Sequence, residues 1–275
     1  MIQTATATAD NGADVLEPQT IIAIGDGADA WIPRSTRRPE IDRLDVDALQ
    51  SAQDAPAVLS TFRDQIVRFK IRLANTEGVR SSASYLIQKM YGWRGYSVSP
   101  LPNDQRPITI VASDADRALA TISVRFDSAE KLLADELYGA ELGNLRAKGA
   151  RLCEFTRLAI DRGEQSREVL AMMFHVAYIY ARRFARCTDL LIEVNPRHVR
   201  FYQAMLGFET VAGERICPRV NAPAVLLRLD LSYCEQQIAR YGGHRELAGS
   251  TRSLYPLAFS LREEDGIRGR LRQLG

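Results

Sequence analysis

The 275-residue chain is 46% hydrophobic and 25% charged with a net charge of +2, the balance of a globular protein that can bury a sizeable core. Its longest apolar runs fall far short of the roughly 20 residues that span a bilayer, and no secretory signal is visible at the N-terminus. Cys153, Cys187, Cys217 and Cys234 show no C-x-x-C spacing and no histidine at zinc-ligand spacing, so a reduced, cytoplasmic protein without a metal is expected.

Along the chain, residues 1–58 read as a disordered or loosely attached segment: "MIQTATATADNGADV" is small, polar and acidic, and "WIPRSTRRPE" carries two prolines. A short helix near Ile41 to Ser51 is compatible with it. Order begins at "IVRFKIRLA", where Val67, Phe69, Ile71 and Leu73 alternate with basic residues as in a half-buried strand. Asn75-Thr76-Glu77 then offers a helix start, and Val79 to Tyr91 continues it. "ITIVA" and "ALATISVRF" form a hairpin around "SDADR".

Residues 129–148 read as a helix with Leu132, Leu133, Leu137, Leu142 and Leu145 on one face. "RLCEFTRLAID" is the next strand, and "REVLAMMFHVAYIYARRFA" an apolar helix packed on the sheet. "DLLIEV" is a strand cut by Asn195-Pro196, and "RHVRFYQAML" a helix that stops at Gly207. "ETVAGE" and "AVLLRLDL" close the sheet, and the tail from Ser232 is mostly helical. Hairpins and crossovers are mixed in this order, so the expected fold is α/β (α+β), a mixed sheet with helices on both faces. The boundaries are 1–58, a catalytic domain over 59–232, and a helical extension over 233–275 packed on it.

Charge is uneven. Residues 1–60 hold four Arg and ten Asp/Glu, net −6, which leaves +8 on the rest. A basic body points to an acidic partner, or is ordinary scatter over a soluble surface. No nucleic-acid partner is expected.

Three features together resemble the GNAT acyltransferase superfamily: the element order, the strands "CEFTRLAID" and "DLLIEV", and the Asn195-Pro196 break. The resemblance implies a GNAT-like, mostly antiparallel sheet in which this parallel strand pair splays apart around a pantetheine arm. It also implies that Tyr202 protonates the departing thiolate, against the plain reading of a core tyrosine. "LCEFTRLAID" resembles the E-x-S/T-R-F/L-A-V/I strand of the acyl-homoserine-lactone synthases. "YLIQKMYGWRGY", "ELGNLRAKGARLCEFTRLAID", "VNPRHVRFYQAMLGFE" and "NAPAVLLRLDL" resemble the N-acyl amino acid synthases of the FeeM type, in order over roughly residues 66–232.

What this resemblance implies is direct aminolysis: a long-chain fatty acyl group passes from acyl carrier protein to the α-amine of an amino acid. Acyl-phosphopantetheine is a co-substrate and no cofactor is needed. Glu154 falls on the glutamate proposed as base toward the amine. Strand alternation sets Thr156 on its face and Arg157 on the other, with site organisation or a structural salt bridge both open for Arg157. Leu158, Ile160, Asn195, Phe201, Tyr91 and Trp93 are candidate substrate contacts. His198 either caps the helix or touches the acceptor, and His175 reads as a satisfied core histidine.

The loop "DRGEQSREVL" departs from the glycine-rich pyrophosphate loop of acetyl-CoA enzymes, since only Gly163 is present. Arg162, Gly163, Ser166 and Arg167 suit a single phosphodiester and the docking of an acidic carrier protein, and residues 146–186 hold nine Lys/Arg against four Asp/Glu. Two competing readings are an acyl-CoA-dependent enzyme acting on a small amine or protein, and a non-catalytic acyl-carrier or lipid-binding module. A monomer or a homodimer fits equally.

Overall fold

A computed structural model describes residues 60–61, 69–92, 101, 107–114, 117–161 and 166–272. Among these residues eight strands form one sheet: β1 (Ser60–Thr61), β2 (Lys70–Leu73), β3 (Ile108–Asp114), β4 (Arg117–Phe126), β5 (Leu152–Ile160), β6 (Asp189–Val194), β7 (Glu209–Cys217) and β8 (Ala222–Asp230). Their spatial order is β1-β2-β3-β4-β5-β6-β8-β7. Every neighbouring pair is antiparallel except β5 and β6, which run parallel. The expected mixed, mostly antiparallel sheet is therefore present. The N-terminal segment expected over 1–58 lies outside the described residues.

Among the described residues six α-helices accompany the sheet: α1 (Glu77–Gly92), α2 (Asp135–Ala147), α3 (Ser166–Tyr178), α4 (Val199–Leu206), α5 (Leu231–Tyr241) and α6 (Leu261–Arg272). β5 and β6 are buried along their whole length, as a parallel pair covered on both faces should be. Cys153, Phe155, Leu190 and Ile192 pack with α3 in the main core. Leu152 and Leu191, one residue out of phase, pack with Leu132, Ala134, Tyr138 and Leu142 around α2 on the opposite face. A third cluster seats α1 on Val111, Ala118 and Ala159. Among the described residues no helix is long and apolar enough to cross a membrane.

Two elements differ from the sequence expectation. The helix expected from residue 129 starts at Asp135. Lys131 adopts φ 61°, which breaks helical winding, and the Asp135 carboxylate accepts the Leu132 N–H at 2.9 Å. The long helix after β5 changes pitch at its end, where Ile179–Phe184 wind as a π-helix. That segment turns Arg182 and Arg183 onto the same acid: Arg182 Nε and Nη2 donate to Glu235 Oε2 at 3.2 and 3.1 Å, and Arg183 Nη1 donates to Glu235 Oε1.

The C-terminal extension is fastened to the domain by buried polar groups. His175 Nδ1 accepts the Phe259 N–H at 3.1 Å, so its Nε2 carries the hydrogen that points to Glu264 Oε2, also 3.1 Å away. Arg183 Nε donates to the other Glu264 oxygen at 2.7 Å. Burial pushes the Glu264 carboxyl up, but these two bonds outweigh it and hold the group below the usual carboxylate range. The expected satisfied core histidine is thus found in full. The extension also closes α4: Leu254 N–H donates to Met205 O at 2.9 Å and the Tyr255 hydroxyl to Leu206 O at 2.8 Å. Gly207 ends that helix at φ 80°, and a Cβ there would lie 2.4 Å from Tyr233 Cε1.

Candidate active site

β5 and β6 are joined at three positions only, Leu152↔Asp189, Cys153↔Leu190 and Glu154↔Leu191. β5 then continues to Ile160 and β6 to Val194 with no ladder bonds between them. The strands diverge from a vertex at Glu154, as expected. The wedge has backbone groups along both walls, which suits an extended ligand that carries amides of its own.

The β5 wall is bent by a bulge. Thr121 pairs with Ala159 and Ser123 with Thr156, so Arg157 and Leu158 stand opposite Ile122 alone. Arg157 takes the left-handed φ of 51°, where glycine is the usual occupant, and its carbonyl accepts the Thr121 hydroxyl at 2.8 Å. The register is unbroken from Glu154 to Thr156, so those two share a face, and the strict alternation fails only beyond Thr156, at Arg157 and Leu158. Leu158 and Ile160 join Cys153 and Phe155 in the core on the α3 side, although simple period-two counting groups them with Glu154.

Glu154 is fully buried at the vertex. Its Oε2 accepts the Leu133 N–H at 2.9 Å and its Oε1 the Ala134 N–H at 3.0 Å, in the turn that leads into α2. Burial, and then the charge of Glu193 on β6, push the Glu154 carboxyl up to about 8 against the pull of those two donors. Each oxygen keeps a second lone pair.

Glu193, two residues past the vertex on the other strand, is also fully buried. Arg219, in the turn between β7 and β8, donates from Nη2 to Glu193 Oε2 at 2.7 Å. Its Nη1 reaches Leu133 O at 3.1 Å and Glu136 Oε2. Both backbone polar groups of Leu133 are thus held, its N–H by Glu154 and its carbonyl by Arg219. Sequence reasoning missed both Glu193 and Arg219. The available signal was a carboxylate inside the apolar run from Leu190 to Val194. Arg219→Met is expected to destabilise the fold by about 3–5 kcal/mol, because it strips a buried carboxylate of its cation. Urea titration checks this, and a midpoint within error of wild type would contradict the clamp.

Asn195 caps the short 3₁₀ turn Pro196–His198 by accepting the Arg197 N–H at 3.2 Å. His198 is buried and makes no side-chain cap; its Nε2 accepts from Arg197 Nε at 3.2 Å. Tyr202 lies one turn along α4, completely buried, and its hydroxyl has no hydrogen-bond partner among the described residues. Burial, then the neighbouring Tyr91 of α1, push the phenol well above its usual range, so it carries its proton at neutral pH. Phe201 and Phe208 meet the Tyr202 ring edge-on, at 5.3 and 5.7 Å between centroids.

The fold thus brings Glu154, Thr156, Arg157, Asn195, His198, Phe201, Tyr202 and Tyr91 onto the strands and helices that frame the wedge. Arg167 is half-buried in the first turn of α3. Trp93, Arg162, Gly163 and the Ser166 side chain lie outside the described residues. None of the described residues forms a cluster of His, Cys, Asp or Glu able to hold a metal.

Residues 82–230, more than half of the chain, match the family described as N-acyl amino acid synthase FeeM. Among solved structures, FeeM, an N-acyl amino acid synthase from uncultured soil microbes, superposes with a TM-score of 0.53 at 24% identity, covering 62% of this chain and 95% of that one. The AHL synthase LasI gives a TM-score of 0.46 at 13% identity, covering 59% and 90%. An N-acetyltransferase from Staphylococcus aureus Mu50 gives 0.42 at 12%, covering 60% and 99%. No curated protein matches the chain.

Proposed function

The chain belongs to the N-acyl amino acid synthase FeeM family and is a GNAT-like acyltransferase, and from that premise we propose that it moves a long-chain fatty acyl group from acyl carrier protein to the α-amine of an amino acid. The observation that carries the reading is the wedge itself. At its vertex a buried carboxyl faces proton uptake, and on one flank a buried phenol carries a hydrogen with no partner.

The step is a direct aminolysis. The amine nitrogen bonds to the thioester carbonyl carbon, and the carbon–sulfur bond breaks. Glu154, once ionised, takes the proton that the amine sheds, directly or through a relay. Tyr202 gives its proton to the departing thiolate and is reprotonated as the products leave. One proton leaves nitrogen and one arrives at sulfur, so the balance closes without a covalent enzyme intermediate. Holding amine and carbonyl together in one wedge supplies the proximity contribution. Backbone N–H groups freed by the splay are suited to polarising the thioester carbonyl.

The donor is read from the loop before α3. A single glycine among arginines suits one phosphodiester, and the +8 balance beyond residue 60 suits an acidic carrier in the cytoplasm. Incubation with long-chain acyl carrier protein and mixed amino acids should yield an N-acyl amino acid and free carrier thiol, read by mass spectrometry. Faster turnover of acyl-CoA would assign the other donor. Reversing Arg162 and Arg167 to Glu should raise the KM for the acyl carrier protein, most at low salt, because complementary charge acts on encounter and is screened. An acyl-pantetheine donor without the protein should be nearly indifferent to that reversal.

A further inference from the structure

Two carboxylates share the vertex of the wedge. Leu152 and Leu191 face the α2 side of the sheet, and Glu154 and Glu193 each stand two residues further along the same strands. Strand alternation therefore turns both carboxyls to that side, one on each wall, at and just beyond the last ladder pair. Both are fully buried.

One chain of hydrogen bonds fixes their spacing. Arg219 Nη2 donates to Glu193 Oε2 at 2.7 Å, Arg219 Nη1 donates to the Leu133 carbonyl at 3.1 Å, and the Leu133 N–H donates to Glu154 Oε2 at 2.9 Å. The Arg219 side chain is only 6% exposed, so solvent ions screen this link little.

Resting on the reading of the reaction given above, we propose that Glu193 and Arg219 are positioning residues of the acyl transfer: Arg219 pins the Glu193 carboxylate beside Glu154, and that fixed negative charge draws the acceptor's proton onto Glu154. The N–H bond of the attacking nitrogen breaks and an O–H bond forms on Glu154. Glu193 acts through Glu154 and stays ionised, paired with Arg219, before and after.

The chemistry of the acceptor calls for such a charge. The nitrogen turns cationic as it bonds to the carbonyl carbon, and must then shed a proton. An ammonium on an α-carbon titrates near about 8, well above an ordinary carboxylate, so a glutamate in water is a poorly matched base. A like charge held close by removes the mismatch. As packing alone the arrangement is costly. A buried ion pair adds little to stability over apolar side chains of the same volume, and a second buried carboxylate beside it adds repulsion.

The groups around the pair leave Glu193 as the source of the charge. Asp189, earlier on β6, is held by Arg228. Glu136 of α2 is bonded to Arg219 and its side chain is half exposed. Burial, and then Glu193, push the Tyr138 hydroxyl above its usual range, and burial does the same to the Cys217 thiol, so both stay neutral. Arg215 lies over the Tyr138 ring and is bonded to Glu141. Arg125 of β4 stands opposite Glu154 and, with Arg219, supplies the positive charge on this face.

The test compares full-length wild type with Glu193→Gln, Glu193→Asp and the double variant Glu193→Gln/Arg219→Met, each at a temperature below its measured melting point. Two titrations are read. One is the Glu154 carboxyl in glutamate-labelled protein by carbon-13 NMR, assigned through Glu154→Gln. The other is kcat against pH with donor and acceptor saturating. Both midpoints should fall by about one pH unit or more in Glu193→Gln, as expected when a close like charge is removed. The double variant should lie between Glu193→Gln and wild type, because the pull of Arg219 on Glu154 is opposite to the push of Glu193 and smaller. It leaves no orphaned charge, so it decides the matter if Glu193→Gln folds poorly. Glu193→Asp keeps the charge and should stay near wild type. The plateau kcat of Glu193→Gln should drop about threefold or more, since a weaker base takes the proton more slowly, with the donor KM unchanged.

Midpoints that do not move in Glu193→Gln and the double variant overturn the proposal. So does a Glu193→Asp that behaves like Glu193→Gln, because shape rather than charge would then matter. A carboxyl titration that moves while the pH–rate profile does not removes the pair from the reaction. Loss of the rising limb altogether, rather than its displacement, would make Glu193 the base itself. The reading of the reaction fails in a different way: no N-acyl amino acid forms from any donor, while the carboxyl midpoints keep the order given above.

Discussion

Tyr202→Phe should lower kcat by about 10²-fold or more, the usual contribution of a positioned proton donor, without lowering the melting temperature. The two halves of this result come from one observation. The Tyr202 hydroxyl is buried and donates to nothing among the described residues. Removing it takes away an unsatisfied polar atom, which is neutral or stabilising when shape is kept. The ring itself stays packed between Phe201 and Phe208. A tyrosine that only fills space would therefore be replaced by phenylalanine at no cost to turnover. Leaving-group chemistry adds a second readout. An aryl thioester expels a stable thiolate that needs little proton assistance, so the variant should recover most of its rate with such a donor. Equal losses with alkyl and aryl thioesters would remove Tyr202 from the proton transfer.

The skeleton of the site was legible because it is written in local patterns. "DLLIEV" is an apolar run of strand length, and Asn195-Pro196 both ends the ladder and caps the next turn. The element order implied a mixed sheet with helices on both faces, and the single parallel pair and its splay followed from the family resemblance. What escaped the sequence depends on residues that meet only in the folded chain. The bulge at Arg157 carries no glycine to announce it, and its carbonyl is held by Thr121, 36 positions away. The helix expected from residue 129 loses its first turn because the Leu133 and Ala134 N–H groups are taken by Glu154, 21 and 20 positions on. Arg219 sits in a turn of "CPRVN", where an arginine looks like any exposed charge. Its partner Glu193 lies 26 positions earlier, inside the otherwise apolar run from Leu190 to Val194.

Glu154→Gln should lower turnover by about 10²–10⁴-fold, as loss of a general base does, and should also weaken the fold. The structure makes the second effect unavoidable. Both Glu154 oxygens accept backbone N–H groups, so the glutamine amide must turn its own NH₂ toward either Leu133 or Ala134. A donor then faces a donor at a buried site, which costs about 1–3 kcal/mol. Activity must accordingly be measured where the variant remains folded, and the pH dependence separates the two roles. The wild-type carboxyl is raised in the fold from 4.5 to about 8. A raised group gives stability that is complete below the unfolded value and is lost as pH climbs through the folded one. Wild-type stability should therefore fall between pH 4.5 and 8 through this site, while the glutamine variant lacks that component. Catalysis runs the other way, because only the ionised carboxylate can take a proton. The wild-type rate should climb toward pH 8 more steeply than the variant's. The slope that remains in the variant belongs to the acceptor amine, whose own deprotonation is common to both proteins. Parallel pH–rate profiles in the two proteins would leave Glu154 as the residue that positions the turn before α2 and would move the proton acceptor to another group.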